Sequence, residues 1–459
     1  MDKQKRLGEE KVSSLLVTFS VPAIIGMLVN AFYNIVDRMF IGHIPEIGKL
    51  AITGVGITMP IMTIMMGFGM LVGIGTAAVI SIKLGQGKKD EAEEILGNAF
   101  TLLIIFSVII TILGLLFVDN ILVAFGASSD TIVYAKEFIT IIFIGTIVNM
   151  VSFGLNHSIR SEGNPGVAMA TMLIGAILNV ILEPIFIFVL GLGVRGGAIA
   201  TVISQMVATV WILRYFTKGD SFLKLKVSNM KLKKEYVKSI FAIGISPFAI
   251  QVAASAVQVV SNNSLRIYGG DLAIGAMTVI SSVAMIFLMP IFGLNQGSQP
   301  IIGYNYGAMK YDRVKDTVKY GVIAATTVVV IGFIVIHLFP QAIIKMFNSD
   351  EQLIEIGVKG LKIFLFMMPV IGFQIISANF FQSIGKAKIS IFLSLLRQVI
   401  ILIPMLIILP KFLGLTGVWL SGPIADFTSS VITGVFLFRE FNKLTNLQNQ
   451  KESKSELAI

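Results

Sequence analysis

The stretch Asn30-Ala31-Phe32-Tyr33-Asn34-Ile35-Val36-Asp37 lies inside an apolar run from about residue 13 to residue 41. At about 1.5 Å per residue, a helix of that length is long enough to cross the roughly 30 Å hydrocarbon core of a bilayer. Asn30, Asn34 and Asp37 stand at i, i+4 and i+7 and share one helix face. A carboxylate inside a membrane costs about 2.5 kcal/mol or more, so it faces a cavity and has work to do there. The plainer alternative is that Asp37 lies near the helix end and reaches interfacial water.

The rest of the chain has the same character. Of its 459 residues 55% are hydrophobic and 14% are charged, and the mean hydropathy is +0.87. Soluble domains carry about 25% charged residues. The composition is that of an all-α polytopic membrane protein. Twelve transmembrane helices are expected, at about 14–41, 49–82, 94–118, 131–157, 166–190, 196–216, 238–267, 272–303, 316–339, 353–381, 389–411 and 416–438.

The net charge of +10 and pI of about 9.5 would suit a nucleic-acid binder, but the placement of the charges decides otherwise. With the N-terminus inside, and residues toward a span end counted with the adjoining loop, 26 of the 36 Lys and Arg residues fall in inner segments and nine in outer loops; Arg397 lies within a span. This asymmetry is a topology signal, so both termini are expected in the cytoplasm, no nucleic acid is expected as a partner, and the protein is expected in the cytoplasmic membrane. The absence of Cys excludes disulfides, thiolate catalysis and Cys-based metal sites, and three scattered His residues do not make a zinc site. The polar first eleven residues lead into a segment too long for a signal-peptide core, so no cleavable signal is expected.

The Lys-rich segment 217–237 divides the chain into an N-lobe, 1–216, and a C-lobe, 238–440, followed by a polar cytoplasmic tail, 441–459. The lobes resemble each other. Leu50-Ala51-Ile52 matches Leu272-Ala273-Ile274, Gly85 and Lys88 match Gly307 and Lys310, and Ser161 and Gly163 match Ser383 and Gly385, all at an offset of 222. Six helices is an even number, so the two lobes are related by a pseudo-two-fold axis along the membrane normal. Such repeats house a site between them and alternate its exposure. Gly85-Gln86-Gly87-Lys88-Lys89 lacks the spacing and final Ser/Thr of a phosphate-cradling loop, so an ion gradient is expected to drive transport.

Asp37, Glu183 and Asp426 are the acidic residues well inside the spans. Asp37 and Glu183 both fall roughly 8–10 Å below the outer rim. Thr201 is level with them, and Asn179 is one turn before Glu183 on the same face. With Asn34, these oxygens suit a small hard cation such as Na+, or the two carboxylates share a proton. Pro184 frees a backbone carbonyl near residue 180 as a further ligand, or merely kinks the helix while Glu183 pairs with Arg195. Aligning the lobes on their prolines sets Asp37 against Asn262 and Glu183 against Ile403, so the coupling site belongs to the N-lobe.

Gln251, Ser255, Gln258, Asn262 and Arg266 form a polar stripe down helix seven, and Gln296 and Gln299 add amides in helix eight. These line a cavity for substrate or glue helices together. Met62 and Met285 stand among several methionines whose thioethers adapt to varied shapes, which suits a promiscuous pocket. Asp426 either binds a cationic substrate or forms a buried pair with Arg397.

Taken together, Tyr33-Asn34-Ile35-Val36-Asp37, Asn179-Val-Ile-Leu-Glu183-Pro184, Gly193-Val-Arg-Gly-Gly-Ala-Ile-Ala-Thr201 and the paired loops Lys83-Leu-Gly85-Gln-Gly87 and Tyr304-Asn-Tyr-Gly307 make the chain, over about residues 12–440, resemble the multidrug and toxic compound extrusion (MATE) family. The resemblance implies a twelve-helix, two-lobe, V-shaped exporter that exchanges Na+ or H+ for organic, often cationic, compounds. It implies a cation site at Asp37, Asn179, Glu183 and Thr201, with Glu183 where many relatives have Asp. Acidic residues that some relatives use in helices seven and ten are absent here. No cofactor beyond the coupling ion is expected, nor any enzymatic activity; a monomer is expected, with the bilayer and small molecules as its partners. A lipid-linked saccharide flippase is the alternative, but it would line its cavity with several cations, and only Arg397 is expected to be buried. An intramembrane enzyme would need a nucleophile–base pair or a metal cluster within the spans.

Overall fold

The structure is a computed structural model that describes residues 3–347 and 350–456. Among the described residues every regular element is helical. Ten helices are long and apolar enough to span a membrane: Val12–Gly42, Leu50–Gly85, Lys89–Leu116, Pro165–Val189, Gly193–Thr217, Lys234–Gly270, Leu272–Gly307, Tyr311–Leu338, Ala387–Leu413 and Leu415–Gln450. Two bent pairs complete a set of twelve spans: Ile132–Ile144 with Thr146–Ser161, bent by 59°, and Glu351–Phe364 with Met368–Ser383, bent by 49°. These are the fourth and tenth spans, and the sequence reads each as one uninterrupted helix. The breaks fall at Gly145 and Met367, again 222 residues apart.

The repeat is also written in the helix ends. After the second span Gly87 takes a positive φ of 74° and Lys88 N–H bonds the Lys83 carbonyl; after the eighth, Met309 takes 54° and Lys310 N–H bonds the Asn305 carbonyl. This is a helix stop in which a left-handed residue lets the next amide satisfy an orphan carbonyl. Gly163 and Gly385 repeat it after the bent spans, at 97° and 76°.

The chain forms two compact units, one built on Ile25–Phe248 and the other on Lys5–Ile24 with Ala249–Ile459. They part within the first and seventh spans, where the sequence division sets the boundary at segment 217–237. Close backbone approach explains this. A Cβ at Gly244 would run into the Leu71 carbonyl and one at Gly75 into the Ile240 carbonyl, so the start of the seventh span lies flat on the second. Within the other unit, Gly293 and Gly297 accept Ile24 and Ser20 of the first span in the same way. In lipid, such van der Waals contact between small residues is a main force holding helices together.

Segment 218–233 is held against the first unit. Asn98 donates to the carbonyls of Asn229 and Lys231, each at 3.2 Å, and accepts from Lys233 N–H at 2.7 Å. Lys226 pairs with buried Glu93 at 2.5 Å. Glu162 is fully buried and accepts from Ser221 Oγ, Leu223 N–H, Asn164 Nδ2 and the Tyr215 hydroxyl. The polar tail expected from residue 441 instead continues the last helix to Glu456. Residues 441–456 contain no Gly or Pro to stop it, and Lys315 donates to the Thr445 hydroxyl at 3.2 Å.

Candidate functional site

In the first unit the first, fifth and sixth spans bring four of the expected oxygen ligands together. Asn179 and Glu183, one turn apart on the fifth span, are 2% and 0% exposed. Asn179 donates from Nδ2 to the Thr201 hydroxyl at 3.1 Å, and that hydroxyl donates to the Gly197 carbonyl at 3.0 Å. Gly197 leaves room beside Glu183, since a Cβ there would already touch Glu183 Oε1 at 3.5 Å. The Asp37 carboxyl, reaching in from the first span, is within hydrogen-bonding reach of Glu183. After Pro184 the helix widens into a π-turn, Ile185–Val189, before the chain reverses into the sixth span. The side chain of Asn34, also expected here, lies outside the described residues.

The chemistry of this cluster is set by what it lacks in donors. Asp37 Oδ1, both Glu183 oxygens and Asn179 Oδ1 are buried and none accepts a hydrogen bond from the protein. Ionised carboxylates only accept, so Asp37 and Glu183 cannot bond each other until one holds a proton or a cation lies between them. Arg195 does not neutralise Glu183, because it pairs with Glu137 at 2.8 Å. Arg38, next to Asp37 in the chain, is exposed and directs Nη2 to Met59 Sδ at 2.8 Å. Among the described residues no group of three or more His, Cys, Asp or Glu is found. The donor set is thus two carboxylates, an amide and a hydroxyl, all hard oxygens, which fits a proton or an alkali cation and not a soft transition metal.

Asp37 and Arg38 also border a cavity of about 180 Å³ whose other walls are apolar, formed by Ile41, Ile52, Val55, Met59, Met62 and Phe138 with Gly56. The structure therefore sets Met62 beside Asp37. Met59 stands in the same methionine series as Met62; Arg38, Phe138 and Gly197 were not singled out from sequence, and of these Gly197 alone had a signal, standing four residues before Thr201 on the same face.

Gln251, Gln258, Asn262, Met285, Gln296, Gln299 and Asp426 belong to the second unit. Gln258 donates to Asn262 Oδ1 at 3.0 Å, Gln251 and Gln296 are partly buried, Gln299 is buried and Met285 is exposed. Asp426, 4% exposed, accepts from Arg397 Nε at 2.5 Å. Arg397, expected to be buried, is half-buried, its side chain 28% exposed; among the described residues the buried guanidinium is another one. Arg160, counted with an inner loop from sequence, is 4% exposed and bonds His157 Nδ1 at 3.1 Å, because the fourth span continues through Ser161.

Comparison with known proteins agrees with this architecture. The MatE family model matches residues 22–185 and 236–408. The multidrug export protein MepA of Staphylococcus haemolyticus (strain JCSC1435) is 29% identical over 95% of this chain and 96% of its own. The solved structure of the MATE multidrug transporter DinF-BH, in complex with R6G, is 40% identical over 95% of this chain and 98% of that one, with a TM-score of 0.88. A MOP superfamily transporter from Pyrococcus furiosus shares the fold, at a TM-score of 0.90 over 96% of this chain and 98% of that one, with 24% identity.

Proposed function

Because this chain belongs to the MatE family, we propose that it is a secondary antiporter of the cell membrane that exports organic, cationic or amphipathic compounds in exchange for Na+ or H+. One observation carries this reading: Asp37 belongs both to the buried oxygen cluster with Glu183 and to the wall of the apolar cavity. A coupling ion and the positive end of a substrate thus compete for one carboxylate. Each ligand weakens the other's binding by the same factor, which is the thermodynamic condition for exchange. The cavity, at about 180 Å³, is smaller than the roughly 300–1,000 Å³ of drug-sized sites, so it receives only part of a substrate. Its two thioethers, Met59 and Met62, adapt to differing shapes. The names of the relatives, a multidrug export protein and a multidrug transporter, agree with broad specificity. Within the second unit, the amides Gln251, Gln258, Asn262, Gln296 and Gln299 are the neutral hydrogen-bonding groups proposed for substrate. The basic linker and both termini lie on the cytoplasmic side, and one chain supplies every ligand of the ion site, so a monomer suffices.

The test is dye transport by proteoliposomes under imposed Na+ or H+ gradients, separately, for wild type, Asp37→Asn and Glu183→Gln. Wild type should transport under one gradient and both variants should lose coupled transport while folding normally. Gradient-driven transport at wild-type rates by either variant would sink the assignment.

A further inference from the structure

Both halves hold acidic charge within their spans, Asp37 of the first and Glu183 of the fifth in one and Asp426 of the twelfth in the other, but they neutralise it differently. In the first half, Glu183 faces Asp37 and neither is in an ion pair among the described residues: Arg195 pairs with Glu137, and Arg38, which borders the same cavity as Asp37, directs Nη2 to Met59 Sδ. In the second half, buried Asp426 is held at 2.5 Å by Arg397, which sits in a π-helical turn, Leu396–Leu402. Wide turns of this kind are rare and frequent at functional sites. The 222-residue offset carries Arg397 onto Gly175 and Asp426 onto Ser204, and the proline alignment of the fifth and eleventh spans, which sets Glu183 against Ile403, carries Arg397 onto Ile177. There the first half is neutral: Ser204 Oγ donates to the Ala200 carbonyl at 2.8 Å, and a Cβ at Gly175 would meet the Ala208 Cβ at 3.9 Å. Conversely, the second half carries Asn262 and Ile403 where the first has Asp37 and Glu183. Each half therefore has one charged level, and only in the second half is the buried acid ion-paired to a cation.

We propose that Arg397 is a tethered counter-cation filling a latent cation site at Asp426, so that ion coupling is confined to the first half. The inference rests on the reading that Asp37 and Glu183 hold the exchangeable ion. A guanidinium does not lose its charge at any physiological pH. Tethered beside its partner, it also outcompetes free ions through its effective concentration. Removing it should leave a buried carboxylate that takes up either Na+ or a proton, which are the two chemistries open to an isolated acid in this setting.

Purified full-length protein in detergent would be assayed for radiolabelled Na+ bound per chain and, in parallel, for the infrared band of protonated carboxyls. Arg397→Gln should gain one equivalent over wild type, as one further Na+ or as a new carboxyl band, and adding Asp426→Asn should abolish the gain. Asp426→Asn alone and Arg397→Lys should match wild type in both measurements. A folded Arg397→Gln with neither gain overturns the inference. So does an Asp426→Asn protein that loses Na+ or a carboxyl band, and this arm decides the matter if Arg397→Gln does not fold. If Asp37→Asn and Glu183→Gln leave the wild-type signals unchanged, the first-half site fails; if they abolish them while Asp426→Asn also lowers them, only the present inference fails.

Discussion

Asn179 donates from Nδ2 to the Thr201 hydroxyl at 3.1 Å, and this bond fixes which way the amide oxygen points. With the nitrogen engaged, Asn179 Oδ1 is left as a buried acceptor with no protein donor, alongside the Glu183 oxygens. Thr201→Val keeps the side-chain volume but removes the acceptor, so the amide is free to turn. A group that orients a ligand in this way is worth about 10–100-fold in ion affinity, beyond what the Thr201 oxygen supplies as a ligand itself. The expected result is a loss in that range for Thr201→Val and near-wild-type behaviour for Thr201→Ser, read from the ion concentration that half-saturates dye transport. Equal ion dependence in both variants and wild type would remove Asn179 from the ligand set.

Glu162 supplies a prediction about pH. It lies just beyond the fourth span, and burial raises its carboxyl above the ordinary glutamate value against the opposing pull of its hydrogen bonds from Ser221, Tyr215, Leu223 and Asn164. A carboxyl raised in the folded state contributes stability that is fully present below the ordinary glutamate value and is lost as pH rises through the raised one. The docked segment 218–233 should therefore open more readily as pH rises. Its lysines make it a trypsin substrate when open. Cleavage of wild type relative to Glu162→Gln, which cannot ionise, should increase from pH 5 to pH 8. Parallel pH profiles for the two proteins would show that Glu162 does not control the docking.

The spans and the carboxylates were legible because lipid makes both conspicuous: long apolar runs cross it, and an acid within one carries a cost that marks it. The bends of the fourth and tenth spans were not. Residues 131–157 and 353–381 read as continuous apolar helices, and the local signs of their breaks, Gly145 in one and Pro369 opening the helix after Leu365–Met367 in the other, are weak in lipid, where glycine and proline are tolerated inside a span. The cavity beside Asp37 was half legible. Met62 belonged to a visible methionine series, whereas Ile52, Val55 and Phe138 are indistinguishable from lipid-facing or core residues until the fold assembles them. Arg160 was misplaced because a charge near a span end reads as an inner-loop cation; its burial follows from the helix extending through Ser161. The end of the last helix was not legible, because composition marks residues 441–456 as polar without saying whether the helix continues through them.

Met309 holds the position in the second half that Gly87 holds in the first, and this pairing gives a prediction with two opposite signs. Both residues end a long helix in the left-handed region, with φ of 54° and 74°, and the amide that follows each closes the same hydrogen bond. A side chain in this region costs about 1–2 kcal/mol through the crowding of Cβ against the following carbonyl. Glycine avoids that crowding but loses about 0.5–1 kcal/mol more to chain entropy on folding. Met309→Gly should therefore stabilise the protein by up to about 1 kcal/mol. At Gly87 a Cβ would meet nothing within 4 Å, so Gly87→Ala adds no clash and should reveal the backbone cost alone, a loss of similar size. For a chain this long the two shifts in melting temperature should be about 1–2 °C, in opposite directions. The measurement is thermal unfolding of the purified protein in one detergent, with transport assayed to confirm that neither loop alters function. Shifts of the same sign would mean that contacts of the Met309 side chain, and not its backbone geometry, determine the energetics of the second turn.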